Sequence, residues 1–295
     1  MKLGLNLSFA VKRWVEPERL AALVKHDFAT DHVQVTWDLI DPWWPAEQRG
    51  AYARRFREAF ERAGVVIDST FSGLAAYSYP QLLAPDELQR GIALQFFKRA
   101  VDMTAELGAE VMGTAIGALS YDDARNPQRR EFLYQDMLKN IRMIAAHGKE
   151  RGLKEIHIEA TPLFTEIPHS PSVSVQMMED LKGTEIPVRL LIDWGHALYR
   201  PLLGDEADIA LWFRTCGPYI GAIHLQQTDG EWDRHWDFTK EGIVTPELIK
   251  KATKDAGLDE ITQYLEVCTA IEDDDDQVYA RMKQTMDYLH RELGV

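Results

Sequence analysis

Ile156-His157-Ile158-Glu159, Leu190-Leu191-Ile192-Asp193, Gly221-Ala222-Ile223-His224 and Gln263-Tyr264-Leu265-Glu266 decide the reading of this chain. Each run is short and apolar, as a buried parallel strand is. Each closes on a side chain that can bind a metal or carry a proton, and the runs are spaced by helical sequence. A barrel of parallel strands sets the C-terminal ends of its strands on one rim. Glu159, Asp193, His224 and Glu266 are therefore predicted to meet in one cluster. Any one carboxylate alone would read more simply as a structural ion pair. Four matched strand ends argue otherwise, because buried unpaired charge is expensive.

Working outward, strand-like runs alternate with amphipathic stretches along the whole chain. Strands are predicted at Leu3–Ser8, His32–Trp37, Val65–Ser69, Ala109–Thr114, Glu155–Ala160, Val188–Asp193, Gly221–Gln226 and Gln263–Val267. Helices are predicted at Glu16–Lys25, Pro45–Ala63, Pro85–Leu107, Pro127–Arg151, Ser174–Leu181, Ala207–Phe213, Pro246–Ala256 and Asp276–Leu293. Gly64, Gly108, Gly152 and Gly257 stop helices just before the next strand. The pattern is α/β, a (β/α)8 TIM barrel, read as one domain over residues 1–295. An open doubly wound sheet would show a glycine-rich turn after its first strand, and Asn6-Leu7-Ser8-Phe9-Ala10 is not one. Period-2 alternation puts His157, Leu191, Ala222 and Tyr264 one layer below the cluster. His157 is thus read as an interior histidine with a hydrogen-bond partner, not as a ligand. Trp14, Trp37, Trp43, Trp44, Trp194, Trp232 and Trp236 fall at strand ends or in the loops beyond. There they either wall a sugar pocket or pin long loops.

Of 295 residues 45% are hydrophobic, enough for a large core. No apolar run is long enough to span a bilayer, so no membrane association is expected. Met1-Lys2-Leu3-Gly4 runs straight into a strand, without the pattern of a secretory leader. Cys216 and Cys268 lie far apart and suit a reducing cytoplasm. Lysine plus arginine number 33 against 47 acidic residues, a net charge of −14. Such a chain repels nucleic acid. The densest acidic run, Glu272 to Asp276, is read as a solvated helix N-terminus.

Three carboxylates with one imidazole make a hard, oxygen-rich site for one divalent cation. It suits Mn²⁺, Mg²⁺ or Co²⁺ better than a thiolate-lined structural zinc cage, with Zn²⁺ still admissible. Such a cation leaves positions for the carbonyl and neighbouring hydroxyl of a ketose, and it stabilises an enediolate. Glu159 and Glu266, on separated strands, can approach the acidic carbon from opposite faces as acid and base. Delivery from two faces inverts a stereocentre. Delivery from one face between adjacent carbons interconverts aldose and ketose.

Ile158-Glu159-Ala160-Thr161-Pro162, Ile192-Asp193-Trp194-Gly195-His196 and Leu265-Glu266-Val267 resemble the xylose isomerase-like TIM-barrel superfamily, in particular its sugar phosphate isomerases and epimerases of the D-tagatose 3-epimerase type. The resemblance implies that Glu159, Asp193, His224 and Glu266 bind the metal, that both glutamates are catalytic, and that His196 and Glu166 contact substrate. The chain departs from that type after His224, where Gln226-Gln227-Thr228-Asp229-Gly230 lacks the arginine of tagatose epimerases and Asp233-Arg234-His235-Trp236 follows. Gln226, Arg234 and His235 are substrate-binding candidates there. This loop and Phe9-Ala10-Val11-Lys12-Arg13-Trp14 are more similar to the subgroup containing D-erythrulose 1-phosphate 3-epimerase. Lys12 and Arg13 would then hold a phosphate or carboxylate.

The expected activity is metal-dependent epimerisation or isomerisation of a small ketose or ketose phosphate, with a four-carbon ketose 1-phosphate as the best match. Decarboxylation of a 3-oxo sugar acid could use the same enolate chemistry. DNA-cleaving relatives of this superfamily use three metals, and the chain has the wrong charge and too few extra rim histidines for that. A non-catalytic sugar-binding protein would not need both glutamates. The expected partner is a small sugar or sugar phosphate; self-association is left open.

Overall fold

Short β-rich runs that must bury both faces close on themselves here, which leaves no strand edge exposed. The computed structural model describes residues 1–295. Its strands are β1 (Lys2–Asn6), β2 (His32–Thr36), β3 (Val66–Phe71), β4 (Val111–Thr114), β5 (Glu155–Ala160), β6 (Val188–Asp193), β7 (Ile220–Leu225) and β8 (Thr262–Leu265). They form one closed barrel in chain order, every pair parallel, with β1 meeting β8 at Leu3↔Gln263 and Leu5↔Leu265. The barrel helices are α1 (Pro17–Ala22), α2 (Ala46–Ala63), α3 (Glu87–Glu106), α4 (Pro127–Glu150), α5 (Pro171–Asp180), α6 (Ile209–Cys216), α7 (Pro246–Asp255) and α8 (Asp275–Leu293). This is the (β/α)8 TIM barrel that the alternation predicts.

Local chemistry explains the boundaries. Asn126, Ser170 and Thr245 each cap a helix whose first residue is proline, where a missing N–H costs nothing. That cap moves α5 to Pro171, three residues earlier than the apolar pattern suggests. Asp274 caps α8, and Asp275 and Asp276 sit in its first turn, so the acidic run is the helix N-terminus expected. The helix read over Glu16–Lys25 instead breaks into α1 and a wider π-turn over Leu23–Asp27. Strand β3 runs two residues further than predicted, to Phe71. On the outside, buried Arg49 clamps Glu106 with two hydrogen bonds of 2.8 and 2.9 Å, tying α2 to α3.

Inside the barrel, Phe71, Leu191, Ala222 and Tyr264 form a small apolar plug. Below it the side chains pair as acids with donors. Tyr264 Oη donates to Asp68 at 3.0 Å, and His157 Nε2 lies 2.9 Å from Glu155. His157 is therefore a paired interior histidine. The plug is tight because small residues face large ones: a Cβ on Gly4 would stand 2.6 Å from the Tyr264 ring. We expect Gly4→Ala to lower unfolding free energy by about 1–3 kcal/mol through overpacking. Gly91→Ala, on an open stretch of α3 with nothing within 4 Å, should raise it by about 0.5–1 kcal/mol. Urea unfolding followed by circular dichroism checks both signs, and similar effects at the two positions would contradict the packing described.

Candidate active site

Above the plug, the strand ends turn inward with charge. Glu159 is the penultimate residue of β5, Asp193 ends β6, His224 is the penultimate residue of β7, and Glu266 directly follows β8. The β6–β7 register sets Asp193 opposite His224. All four are buried, and one ligand atom from each lies within 4.8 Å of the others. His224 Nδ1 is 2.7 Å from Glu266 Oε2 and 3.0 Å from Glu159 Oε1. Its Nε2 donates to Gln34 Oε1 at 2.7 Å, and that oxygen also accepts from Asn6. Gln34 thereby fixes the ring so that Nδ1 faces the carboxylates, the way an outer partner orients a metal-ligating histidine.

Asp193 supplies the sharpest test of whether a cation fits. Its Oδ1 accepts from the His196 N–H at 2.9 Å and from Gln226 Nε2 at 2.7 Å. Its Oδ2 is buried with no partner. An orphaned carboxylate oxygen beside two further carboxylates is costly in a protein interior and is satisfied by a hard divalent cation. The cluster is able to bind a metal ion. In the protein alone, burial pushes Glu159 above the usual carboxylate range, against the pull of His196 and His224. Burial acts the same way on Glu266, but the His224 and His235 charges outweigh it and hold this carboxyl low. His224 gains from the same contacts: burial lowers it, and Glu266 and Glu159 raise it to about 10.

The rim residues fall into two groups. His196, Gln226 and His235 face the cluster. His196 Nδ1 donates to the Ala160 carbonyl at 3.0 Å, and Gln226 Oε1 accepts the His235 N–H at 2.5 Å. Glu166 is buried, accepting from Tyr77 Oη at 2.6 Å and from the Leu163 N–H at 3.0 Å. Burial raises both Glu166 and Tyr77. Arg234 and Arg13 are engaged elsewhere. Arg234 makes two hydrogen bonds to Asp229 and stacks 4.7 Å from the Trp236 ring. Arg13 donates to the carbonyls of Ala270 and Asp273 and lies 3.0 Å from Asp275. The acidic run before α8 needs a local countercharge, and Arg13 supplies it. Lys12 is exposed, makes no ion pair and has a left-handed φ of 65°.

Gln34, Asn6, Tyr77 and Asp233 were not singled out as site residues by the sequence. Gln34 and Asn6 carry a readable signal, since each is a polar side chain within a short barrel strand, Gln34 at the middle of β2 and Asn6 at the end of β1. Tyr77 carries none, as it sits on a four-residue helix, Leu74–Tyr77, capped by no periodic pattern. The tryptophans divide. Trp194 is fully buried against Phe213, outside the mouth. Trp37 and Trp43 line an apolar cleft of about 710 Å³ with Tyr79 and Phe96. That cleft contains none of the four cluster residues.

The model of the xylose isomerase-like TIM barrel family matches residues 22–291. The chain belongs to this family. It is similar over 99% of both chains, with a TM-score of 0.97 and 45% identity, to a xylose isomerase, so named provisionally, of Rhodospirillum rubrum ATCC 11170. D-erythrulose 1-phosphate 3-epimerase of Brucella abortus (strain 2308) is 26% identical over 266 residues, 87% of this chain and 84% of that protein. D-psicose 3-epimerase of Clostridium cellulolyticum H10 shares the fold at a TM-score of 0.71 and 16% identity, over 99% of both chains. The chain is accordingly an enzyme of the sugar isomerase and epimerase family. No helix is long and apolar enough to cross a membrane.

Mn²⁺ titration of chelator-treated protein, read by the loss of the free-ion paramagnetic signal, should show binding that Asp193→Ala weakens at least about 100-fold. Losing a carboxylate ligand removes both charge and geometry. Tyr77→Phe should leave affinity unchanged. Equal affinity of the Asp193 variant would place the cation elsewhere.

Proposed function

We propose that this enzyme epimerises a small ketose or ketose phosphate, with a four-carbon ketose 1-phosphate favoured, using one divalent cation held by Glu159, Asp193, His224 and Glu266. The observation that carries the reading is the buried Asp193 Oδ2, unpartnered at the centre of a carboxylate–imidazole cluster. The named activity of the Brucella relative supports the choice of substrate class. A cation bound there, Mn²⁺, Mg²⁺ or Co²⁺ in preference to Zn²⁺, would polarise the ketose carbonyl and acidify the adjacent C–H.

Every other part is performed by side chains. Glu159 and Glu266 flank His224 from strands on different sides of the mouth. One removes the proton at the carbon beside the carbonyl and the other returns a proton to the opposite face. His196 and Gln226 orient the substrate oxygens, with Gln226 also holding Asp193 in place. Glu166, held by Tyr77, accepts a substrate hydroxyl. Burial of the cluster excludes water, which protects the carbanion-like stage from unselective protonation. Lys12 is the free cation for an anionic substrate end.

Incubating the enzyme with C4–C6 ketoses and their 1-phosphates in D₂O with Mn²⁺ should place deuterium at one carbon only. Glu159→Gln and Glu266→Gln should each slow that exchange by about 10²–10⁴-fold while the protein stays folded. Wild-type exchange in either variant would mean that the proton moves through another group, and CO₂ release from a 3-oxo acid would indicate decarboxylation instead.

Replacing Lys12 by Ala should raise KM about tenfold for the phosphorylated ketose and leave the free ketose unaffected, the loss expected for one charge-assisted contact. An equal effect on both substrates would separate Lys12 from phosphate recognition.

A further inference from the structure

The turn that carries Tyr77 is held by residues outside it. Leu74–Tyr77 is a four-residue helix in the loop after β3, entered through Gly73, which has no side chain to cap it. Asp38, in the loop after β2, stands in for that cap. Its Oδ2 accepts the Leu74 N–H at 2.8 Å and its Oδ1 the Ala75 N–H at 3.3 Å. A Cβ at residue 73 would stand 2.3 Å from the same carboxylate, so a larger residue there would push Asp38 off both amides. At the other end Gln81, buried and left-handed with a φ of 47°, donates Nε2 to the Ala76 carbonyl at 2.8 Å. A single helical turn does not persist alone, because nucleating a helix is unfavourable. This one is kept by side chains that satisfy its ends from outside.

The turn delivers a hydroxyl to the barrel mouth. Tyr77 Oη donates to Glu166 Oε1 at 2.6 Å, reaching across to the loop after β5. Glu166 Oε2 accepts the Leu163 N–H at 3.0 Å, so the buried carboxylate is gripped from both sides. Burial raises the Tyr77 hydroxyl, and the charges of Glu166, Asp233 and Glu159 add to the rise, which sets the group among the acids of the mouth. Tyr77 is itself 37% exposed, so packing alone does not fix it. Three loops are thereby linked in series. Asp38 fixes the turn, the turn fixes Tyr77, and Tyr77 fixes Glu166. Each side-chain link ends on a carboxylate, and hydrogen bonds to an ionised group are the strong ones.

We infer that Asp38 and Tyr77 are positioning residues of this enzyme, coupled in series to Glu166. Asp38 holds the Leu74–Tyr77 turn against the mouth, and Tyr77 aims the Glu166 carboxylate at a substrate hydroxyl. Both act on the substrate only through Glu166, so the inference rests on the role proposed for that carboxylate and adds the two residues that control it. A binding group set in this way from neighbouring loops is as precise as the side chains that support it.

Hydrogen exchange of the protein alone, read by mass spectrometry of its peptides, tests the coupling without any substrate. Asp38→Ala should speed exchange about tenfold in residues 73–79, the loss of one charge-assisted hydrogen bond, and should also speed it in residues 161–167, where the Leu163 N–H depends on Glu166. Tyr77→Phe should speed the second segment. Asp38→Asn keeps an acceptor oxygen, should lie between wild type and Asp38→Ala, and serves if the alanine variant does not fold by circular dichroism. Faster exchange confined to residues 73–79 in both Asp38 variants would make Asp38 a local cap and overturn the inference. With a four-carbon ketose 1-phosphate, Asp38→Ala and Tyr77→Phe should each raise KM about five- to tenfold and change kcat less, and the double variant should be no worse than the worse single one. Neither change should add to the effect of Glu166→Gln. Additive losses would show independent roles and equally overturn it. Linked exchange in a protein that turns over no ketose removes only the epimerase reading, whereas normal turnover with unlinked segments removes only the coupling.

Discussion

Three buried carboxylates that meet within 4.8 Å at the top of the barrel are the constraint on which the rest of this molecule depends. Left to themselves they would repel, and each would lose its hydration. The fold answers in layers. His224 sits between Glu159 and Glu266, and Gln34 turns its ring so that the correct nitrogen faces them. Asp193 has one oxygen fully engaged by a backbone N–H and by Gln226, and the other left bare. A protein that spends hydrogen bonds to aim a carboxylate, and then leaves its other oxygen unpartnered, has built a place for positive charge.

The layers beneath and around serve that placement. The plug of Phe71, Leu191, Ala222 and Tyr264 closes the barrel interior just under the cluster, so the charged layer opens only toward the rim. Above it, Tyr77 reaches from the β3 loop to Glu166 in the β5 loop. The β7 loop folds back on itself through paired Gln227 and Trp236, which brings Asp233 and His235 over the mouth. The cluster is thus enclosed by loops that are themselves fixed by side-chain bonds, while the strand ends carry its four residues.

Much of this was legible in the chain. The strand period, the glycine stops and the four polar strand ends are local signals, and each marks a backbone position directly. Two of the boundaries that moved have local causes as well: Ser170 with Pro171 starts a helix before its apolar face begins, and Phe71 prolongs β3 because it fills the barrel interior. Less legible were residues whose roles come from partners distant in sequence. Arg13 looked like a free rim cation, but its countercharge lies about 260 residues away in the chain, in the acidic run before α8. Tyr77 gave no signal, because a four-residue helix has no period.

The sequence by itself determined the α/β barrel and the Glu159, Asp193, His224 and Glu266 set, because both follow from where apolar runs begin and end. Only the tertiary structure decided how the rim is used: that Arg13 and Arg234 are held by acids, that Gln34 orients His224, and that Tyr77 grips Glu166 from another loop. The physical reason is that strand periodicity is a property of neighbouring residues. Charge pairing and ligand geometry depend instead on distances across the barrel mouth, which arise only once all eight strands have closed.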